Sequence, residues 1–485
     1  MPASPTLRRP LILASVMMAM FMIAIEATIV STAMPQIAGQ LGDLHLYSWV
    51  FASFLLTQTA TTMVFGKLAD IYGRRPVMLV GIAIFLLGSL LCGLAWSMPS
   101  LIAFRLVQGI GAGAVQPIAQ TVVGDLYSVQ ERGKIQGWLA SVWGISSVLG
   151  PLVGGLIVQH VSWPWIFWMN LPIGVAAMAG FALFLREDVT RARRPVDAGG
   201  AVLLTIAVAA LMTAATDPGS AFSAAAAVAF LGCTAAFLWW ESRAADPVVN
   251  LALWMRRPIV TNNATVLFAG MSLIGLTTFL PMYVQGVLGR SALVAGFTLT
   301  AMVFGWPVGA TIAARFFGRF GLRASLLFGA ALLPVGSLAF IVLGPGSSPW
   351  FAGMGSFVMG LGMGFLNTAS VVMVQESVGW SERGAATASN VFARNLGSAL
   401  GAAVLGGVLN ISLARQGSAG QGIDFERVRT LLEHGGSVVD AAVRAALDGA
   451  LHLTFWAILA TALVGLLLAT RVPHVAPRAR AGGAD

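Results

Sequence analysis

Three charged side chains stand inside long apolar stretches of this 485-residue chain: Glu26, Arg105 and Arg394. Charge at membrane depth is costly, so such residues tend to be functional and to face a bundle interior or a water-filled cavity. At a rise of ~1.5 Å per residue, Glu26 lies ~13 Å below Pro35 at the outer end of its run, and Arg105 lies ~6 Å below Leu101. The ends of the runs are defined to a few residues, so the two depths overlap and the side chains can pair. A carboxylate there is subject to two opposed effects: desolvation favours its protonated form and a nearby cation favours the charged one. That balance suits a group that exchanges a proton for a cationic or dipolar substrate. The bland alternative is a static tie between two helices. Arg394 lies ~14 Å from the inner end of its run on the same arithmetic, and the sequence leaves open whether it faces a cavity or a neighbouring helix.

Other chemistry is hard to assemble. The five His are isolated in gaps or near run ends, so no metal spacing exists. No phosphate-binding loop ending in Lys-Ser/Thr is present, so no cofactor is expected and a proton gradient replaces ATP as the energy source. No nucleophile, base and oxyanion set suggests an enzyme. Cys92 and Cys233 sit in apolar runs and read as small core residues.

The elements that must position these charges follow from composition. Apolar residues make up 57% of the chain and charged ones 10%, against roughly 45–50% and about 25% in soluble proteins. That excludes a soluble enzyme, a disordered chain and a disulfide scaffold, and leaves an all-α, polytopic membrane protein. Fourteen helix-compatible runs are expected at 11–35, 48–66, 76–96, 101–124, 135–158, 165–185, 198–215, 222–240, 259–282, 292–314, 324–343, 350–374, 385–411 and 451–470. Arg8 and Arg9 before the first run imitate a secretory signal, but the run is too long for a signal core and further spans follow. With both termini cytoplasmic, the inner segments hold 21 Lys and Arg and the outer ones 5, a strong positive-inside pattern. The basic net charge of +9 therefore reports orientation and not nucleic-acid binding.

The chain also repeats itself. Gly109, Gly111 and Gly113, then Glu131-Arg132-Gly133, recur 251 residues later as Gly360, Gly362 and Gly364, then Glu382-Arg383-Gly384. Similar offsets relate Tyr72-Gly73 to Phe320-Gly321, Arg75 to Arg323 and Pro35 to Pro281. Two six-helix halves follow, 1–185 and 258–470, with a linker at 186–257 that carries two extra helices, an external loop at 412–450 and a tail at 471–485. Duplicated halves around a midplane site are the architecture of rocking transporters. Ser272 and Ser356, which align with Glu26 and Arg105, carry neither charge, and this favours function over mere helix pairing at the first-half positions. The external loop is Gly-rich at first and then weakly amphipathic over Phe425–Leu432 and Val438–Leu447, which fits a helical cap or a plain connector.

A second constellation is the inner turn Gly66-Lys67-Leu68-Ala69-Asp70-Ile71-Tyr72-Gly73-Arg74-Arg75-Pro76. Its glycines permit a tight turn, and Asp70 sits near the positive end of the next helix. Cavity candidates are Gln58, Gln116, Gln120, Asn263 and Asn367, with Trp143 and Phe279 as stacking surfaces and Arg394 as a possible lining charge.

This turn resembles the loop signature of the major facilitator superfamily. Arg105-Leu106-Val107-Gln108-Gly109 resembles the superfamily's Arg-xx-Gln-Gly signature, and Gly150-Pro151-Leu152-Val153-Gly154-Gly155 resembles the motif of its drug antiporters. Ala24 to Pro35 resembles the first helix of the 14-helix drug:proton antiporters, with Glu26 where Asp is usual. Trp163, Trp165, Phe167, Asn170 and Pro172 match a further stretch, with Pro164 where Arg is usual. The resemblance implies a major facilitator fold of 14 helices, with Glu26 and Arg105 in proton coupling. It also implies an inner gate of Gly66, Asp70, Gly73 and Arg74 with Arg132 as a candidate partner, and a bent, close-packed exporter helix at Gly150, Pro151, Gly154 and Gly155. The second-half turn (Gly318, Arg319, Gly321, Arg323) has no acid, so the gate charges should be asymmetric.

The expectation is thus a proton-coupled antiporter that works as a monomer in a bacterial inner membrane. It would export lipophilic, cationic or dipolar compounds, with the lipid bilayer as its setting. A lipid or glycolipid exporter of the same fold and a non-transporting sensor are the alternatives.

Overall fold

The computed structural model describes residues 5–42, 46–187, 197–216, 221–244, 247, 249, 251–417 and 441–474, and the chain is helical almost throughout. The helices are α1 (Pro5–Leu41), α2 (Tyr47–Tyr72), α3 (Arg74–Gly93), α4 (Met98–Leu126), α5 (Val129–His160), α6 (Trp165–Trp168), α7 (Asn170–Phe184), α8 (Ala198–Thr216), α9 (Ala221–Glu241), α10 (Leu251–Trp254), α11 (Arg257–Gly286), α12 (Ala292–Ile341), α13 (Pro349–Glu376), α14 (Arg383–Gly417) and α15 (Ala441–Thr470). Among the described residues, twelve helices are long and apolar enough to cross a membrane. Two of the fourteen expected spans fall outside that set. The described apolar part of α8 is short, Gly199–Leu211, and α2 is diluted by Thr57, Gln58, Thr59, Thr61 and Thr62.

Local chemistry sets the ends. Ser97 and Ser128 cap α4 and α5 in reciprocal capping boxes with Ser100 and Glu131, which satisfies amide donors that a helix start leaves open. Gly73, at φ 96°, separates α2 from α3. Its repeat partner Gly321, at φ 82°, breaks α12 into two legs, and these are two of the twelve spans, Val294–Phe317 and Arg319–Ile341, where 292–314 and 324–343 are expected. A side chain at either position would be strained, which explains why both halves keep glycine there. The expected loop 412–450 is shorter than the sequence suggests: α14 runs on to Gly417 and α15 begins at Ala441. The amphipathic stretch Phe425–Leu432 lies outside the described residues, as does the tail beyond residue 474.

The helices form two compact units, one of residues 1–132, 142–259 and 374–392 and one of residues 133–141, 260–373 and 393–485. Both are packed on the repeated glycines. In the first, methyl groups at Gly109 and Gly113 would collide with α2 at Phe54 and Gln58, and one at Gly111 with α3 at Phe85. In the second, Gly360 and Gly364 abut the first leg of α12 at Met302 and Trp306, and Gly362 abuts its second leg at Gly329. Alternating glycines thus let one helix approach two neighbours closely, the packing that favours association in lipid. The first unit is sealed at one end by Ile29, Ala33, Met34, Ile37, Val50, Leu101, Trp163 and Phe167, all buried together.

Candidate functional site

Glu26 is wholly buried. Helix α1 presents it to α4, where Arg105 Nη1 donates to Oε1 at 2.6 Å. From α7, Asn170 Nδ2 donates to Oε2 at 2.5 Å. Arg105 is held in turn: Nε donates to the Val50 carbonyl at 3.2 Å and Nη1 to Gln108 Oε1 at 2.7 Å, and the guanidinium lies 4.2 Å over the Phe54 ring. Gln108 Nε2 donates to Ser89 Oγ at 2.7 Å, and Cys92 Sγ sits 3.8 Å from Gln108 Oε1. Five helices, α1, α2, α3, α4 and α7, therefore contribute to the surroundings of one carboxylate whose oxygens are each matched by a donor. Such a site can hold a charge in a dry interior because it is paired and hydrogen-bonded. It can also release its cation when the carboxylate takes up a proton. The overlapping depths of Glu26 and Arg105 in their runs allow this pair; nothing comparable singles out Asn170 as a partner. An amide in an otherwise apolar span was the available signal.

The inner turn builds a second network. Asp70, in the last turn of α2, accepts from the Gly384 and Ala385 amides at the start of α14, at 2.9 and 2.7 Å. Buried Arg74 reaches Asp70 Oδ1 at 3.1 Å and Asp125 Oδ2 at 3.2 Å. It also donates to the Trp380 carbonyl at 3.0 Å and covers that indole at 4.1 Å. Arg383 Nη1 meets Asp125 Oδ1 at 3.2 Å and its Nη2 lies 3.7 Å from Glu376 Oε1. Arg132 Nη1 meets Glu376 Oε1 at 2.8 Å, while its Nη2 donates to the Gly124 carbonyl. Six charges thus alternate in sign: Asp70, Arg74, Asp125, Arg383, Glu376, Arg132. Glu187 supports the chain by accepting from the Arg74 and Arg75 amides at 3.1 and 3.0 Å, where α3 begins.

This network refines the expected gate. Arg132 pairs with Glu376 and not with Asp70, because Arg74 already fills the space beside Asp70. The repeat explains the arrangement. Glu376 stands 251 residues after Asp125, as Arg383 does after Arg132. Each acid pairs with the arginine of the other copy. The offset was visible in the sequence, while the cross-pairing required the fold. Among the described residues the second-half turn shows no such chain: Arg323 Nη2 donates to the Thr470 carbonyl at 3.1 Å and Arg319 lies over the Phe320 ring. Burial pushes the Asp70 carboxyl up to about 7 despite the adjacent Arg74 and the two amide donors.

The exporter motif divides. Gly150 packs against α1, and a methyl group there would strike Thr28 Oγ1, whose hydroxyl donates to the Ser146 carbonyl at 2.9 Å. Gly154 is buried. Gly155 faces open space, so close packing holds at Gly150 and not at Gly155. Helix α5 runs through Pro151 without interruption. Of the other candidates, Gln58, Gln116 and Gln120 are buried on α2 and α4, and Trp143 is exposed on α5. Asn263 and Phe279 are buried on α11, and Asn367 Oδ1 accepts from Arg394 Nη1 at 2.9 Å. Gly66 lies against Ala388 and the Gly384 carbonyl, where a side chain has no room. Among the described residues no group of three or more His, Cys, Asp or Glu could hold a metal.

Comparison with known proteins places the chain among transporters. A family model described as "Major Facilitator Superfamily" matches residues 16–402. Multidrug transporter protein MdtP of Bacillus subtilis is 34% identical over 418 residues, covering 85% of this chain and 76% of that protein. Multidrug resistance protein 3 of the same organism is 33% identical over 421 residues, covering 84% and 82%. A Fusarium protein named MFS-type efflux pump LUC4 is 32% identical over 459 residues, covering 90% and 80%. The structure of the proton:xylose symporter XylE superposes with a TM-score of 0.62 at 15% identity, covering 96% of this chain and 95% of that one. The human organic anion transporter MFSD10 gives 0.64 at 18%, covering 96% and 100%. The last two likenesses bear on the fold alone.

Proposed function

The chain belongs to the Major Facilitator Superfamily, and we propose that it exports lipophilic compounds from the cytoplasm in exchange for protons. The observation that carries this reading is the Glu26–Arg105 pair, buried among helices α1, α2, α3, α4 and α7 and completed by Gln108 and Asn170. A buried carboxylate matched to one cation has two stable arrangements. It is charged and tied to Arg105, or protonated with Arg105 released to its remaining partners. Proton binding can then bias an alternating-access equilibrium, since only differential affinity for two states shifts their populations. With the cavity open outward, Glu26 binds a proton; inward opening and arrival of a cationic or dipolar substrate release it; the substrate leaves on the return.

The alternating chain from Asp70 to Arg132 serves as the inner gate, on the side that the basic residues assign to the cytoplasm. Its six charges satisfy one another only when 374–392 is docked on the inner turn. The multidrug and efflux names of the relatives support drug-like cargo. One deep acid in the first unit gives about one proton per cycle. The test uses reconstituted vesicles that carry a lumenal pH indicator: adding a lipophilic cation dye should move protons opposite to the dye at a ratio near one. Dye movement without proton movement, or a ratio well above one, would remove this reading.

A further inference from the structure

Two guanidinium groups lie deep in apolar helices of this chain, and their surroundings differ. Arg105 has a carboxylate, a glutamine oxygen and a backbone carbonyl. Arg394, on α14, has only Asn367 Oδ1 at 2.9 Å. Among the described residues it forms no ion pair and no further side-chain hydrogen bond, so four of its five N–H groups have no acceptor among them. The side chain is half-buried. It points to α13, where Asn367 and every other described side chain from Gly362 to Glu376 is buried, and α11 closes on it from behind, with Gly270 against the Arg394 carbonyl. Beside Asn367, the Thr368 hydroxyl is buried without a partner.

An isolated cation in a low-dielectric interior costs several kcal/mol unless a counter-charge and hydrogen bonds offset it. The first unit supplies that counter-charge from its own sequence. The second does not, because Ser272 stands where the repeat would place the acid, and its hydroxyl is 2.9 Å from Thr461 Oγ1. We propose that the missing partner arrives with the cargo: Arg394 is the docking point for the carboxylate of an amphiphilic substrate. A guanidinium fork fits a carboxylate through two parallel hydrogen bonds. Asn367 fixes the fork through Nη1 and leaves the remaining donors free. The cargo class therefore includes zwitterionic amphiphiles, the dipolar compounds of the export reading on which this inference rests, and extends that reading to anionic ones.

The test is direct binding to purified full-length protein without a gradient, using 4-(1-pyrenyl)butyrate and its methyl ester as fluorescent probes. The acid should bind roughly ten- to hundredfold more tightly than the ester, the worth of a charge-assisted hydrogen-bonded contact. Arg394→Gln should erase the difference and Arg394→Lys, a point charge without the fork, should reduce it. Should Arg394→Gln fail to fold, Asn367→Leu, which frees the fork without removing the charge, should weaken acid binding alone. Equal affinity for acid and ester overturns the proposal, as does acid affinity that Arg394→Gln leaves unchanged. Chloride that protects only the wild type against thermal unfolding, while acid and ester bind alike, also overturns it and assigns the cation to an inorganic ion. If cationic-dye efflux fails in the wild type while acid binding still depends on Arg394, the export reading falls and this site stands.

Discussion

Removing Arg74 should unlatch the gate. Its guanidinium is fully buried and spans two carboxylates, at 3.1 Å from Asp70 and 3.2 Å from Asp125. In Arg74→Gln, Asp125 keeps Arg383, whereas Asp70 keeps only the Gly384 and Ala385 amides. Breaking a buried ion pair costs about 3–5 kcal/mol when the orphaned charge stays buried. The surviving partners place this case at the lower end, about 3 kcal/mol, when the measurement is made at about pH 9, where the Asp70 carboxyl, which sits at about 7 in the parent, is ionised and its protonation in the variant is costly. That cost is relieved when Asp70 reaches water, so it shifts the closed–open equilibrium toward opening by roughly a hundredfold. Thr387, buried and within 3.3 Å of Gln375 Nε2, reports the opening. As a cysteine in a background without Cys92 and Cys233, it should react with a membrane-impermeant maleimide about a hundred times faster in Arg74→Gln. Arg74→Lys, which keeps the charge but cannot span both acids, should fall between. Adding Asp70→Asn should return the rate toward the parent, because no charge is then stranded. A rate within threefold of the parent in Arg74→Gln would refute the reasoning.

Three further outcomes follow from the same geometry. The Asp70 carboxyl, held at about 7 in the closed gate and near 3.9 once hydrated, binds a proton on closure, so closure is favoured below about pH 7 and weakens as pH rises through it; hydrogen exchange of the 383–388 amides, corrected for intrinsic rate, should accelerate from pH 6 to pH 8 in the wild type and lose that dependence in Asp70→Asn. Gly150→Val should lower the thermal midpoint, since its side chain meets Thr28 and overpacking costs about 1–3 kcal/mol, whereas Gly155→Ala should be silent or mildly stabilising; equal effects would contradict the packing described. Arg132→Glu should impair transport through a like-charge contact with Glu376, and Glu376→Arg in the same chain should restore much of it, a rescue that efflux assays on the single and double variants would detect.

The sequence displays the deep charges because nothing masks a Glu or Arg in an apolar run, and it displays the repeat because glycines that set helix approach cannot drift. Both are constraints along the chain, and the structure follows them at Gly73 and Gly321 and at the paired Glu26 and Arg105. Contacts across the fold were less legible. Asn170 completes the Glu26 site from another helix, and no spacing rule announces that, whereas Gln108 stands one turn from Arg105 in the motif itself. Arg132 joins the charge network around Asp70 and Arg74, yet its partner is Glu376, the repeat copy of Asp125. That pairing depends on which helix ends meet. Gly150 and Gly155 read alike in the motif, but five residues along a helix place them on faces with different neighbours.

The central claim is that Glu26 couples export to the proton gradient. Efflux of a lipophilic cation dye from reconstituted vesicles under an imposed pH gradient tests it most directly, with wild type and Glu26→Gln measured side by side and Glu26→Asp as the control for folding and site geometry. The account predicts gradient-driven efflux in the wild type, retained in part by Glu26→Asp and abolished in Glu26→Gln. Gradient-driven efflux that persists undiminished in Glu26→Gln would contradict it and reduce the Glu26–Arg105 pair to a structural tie.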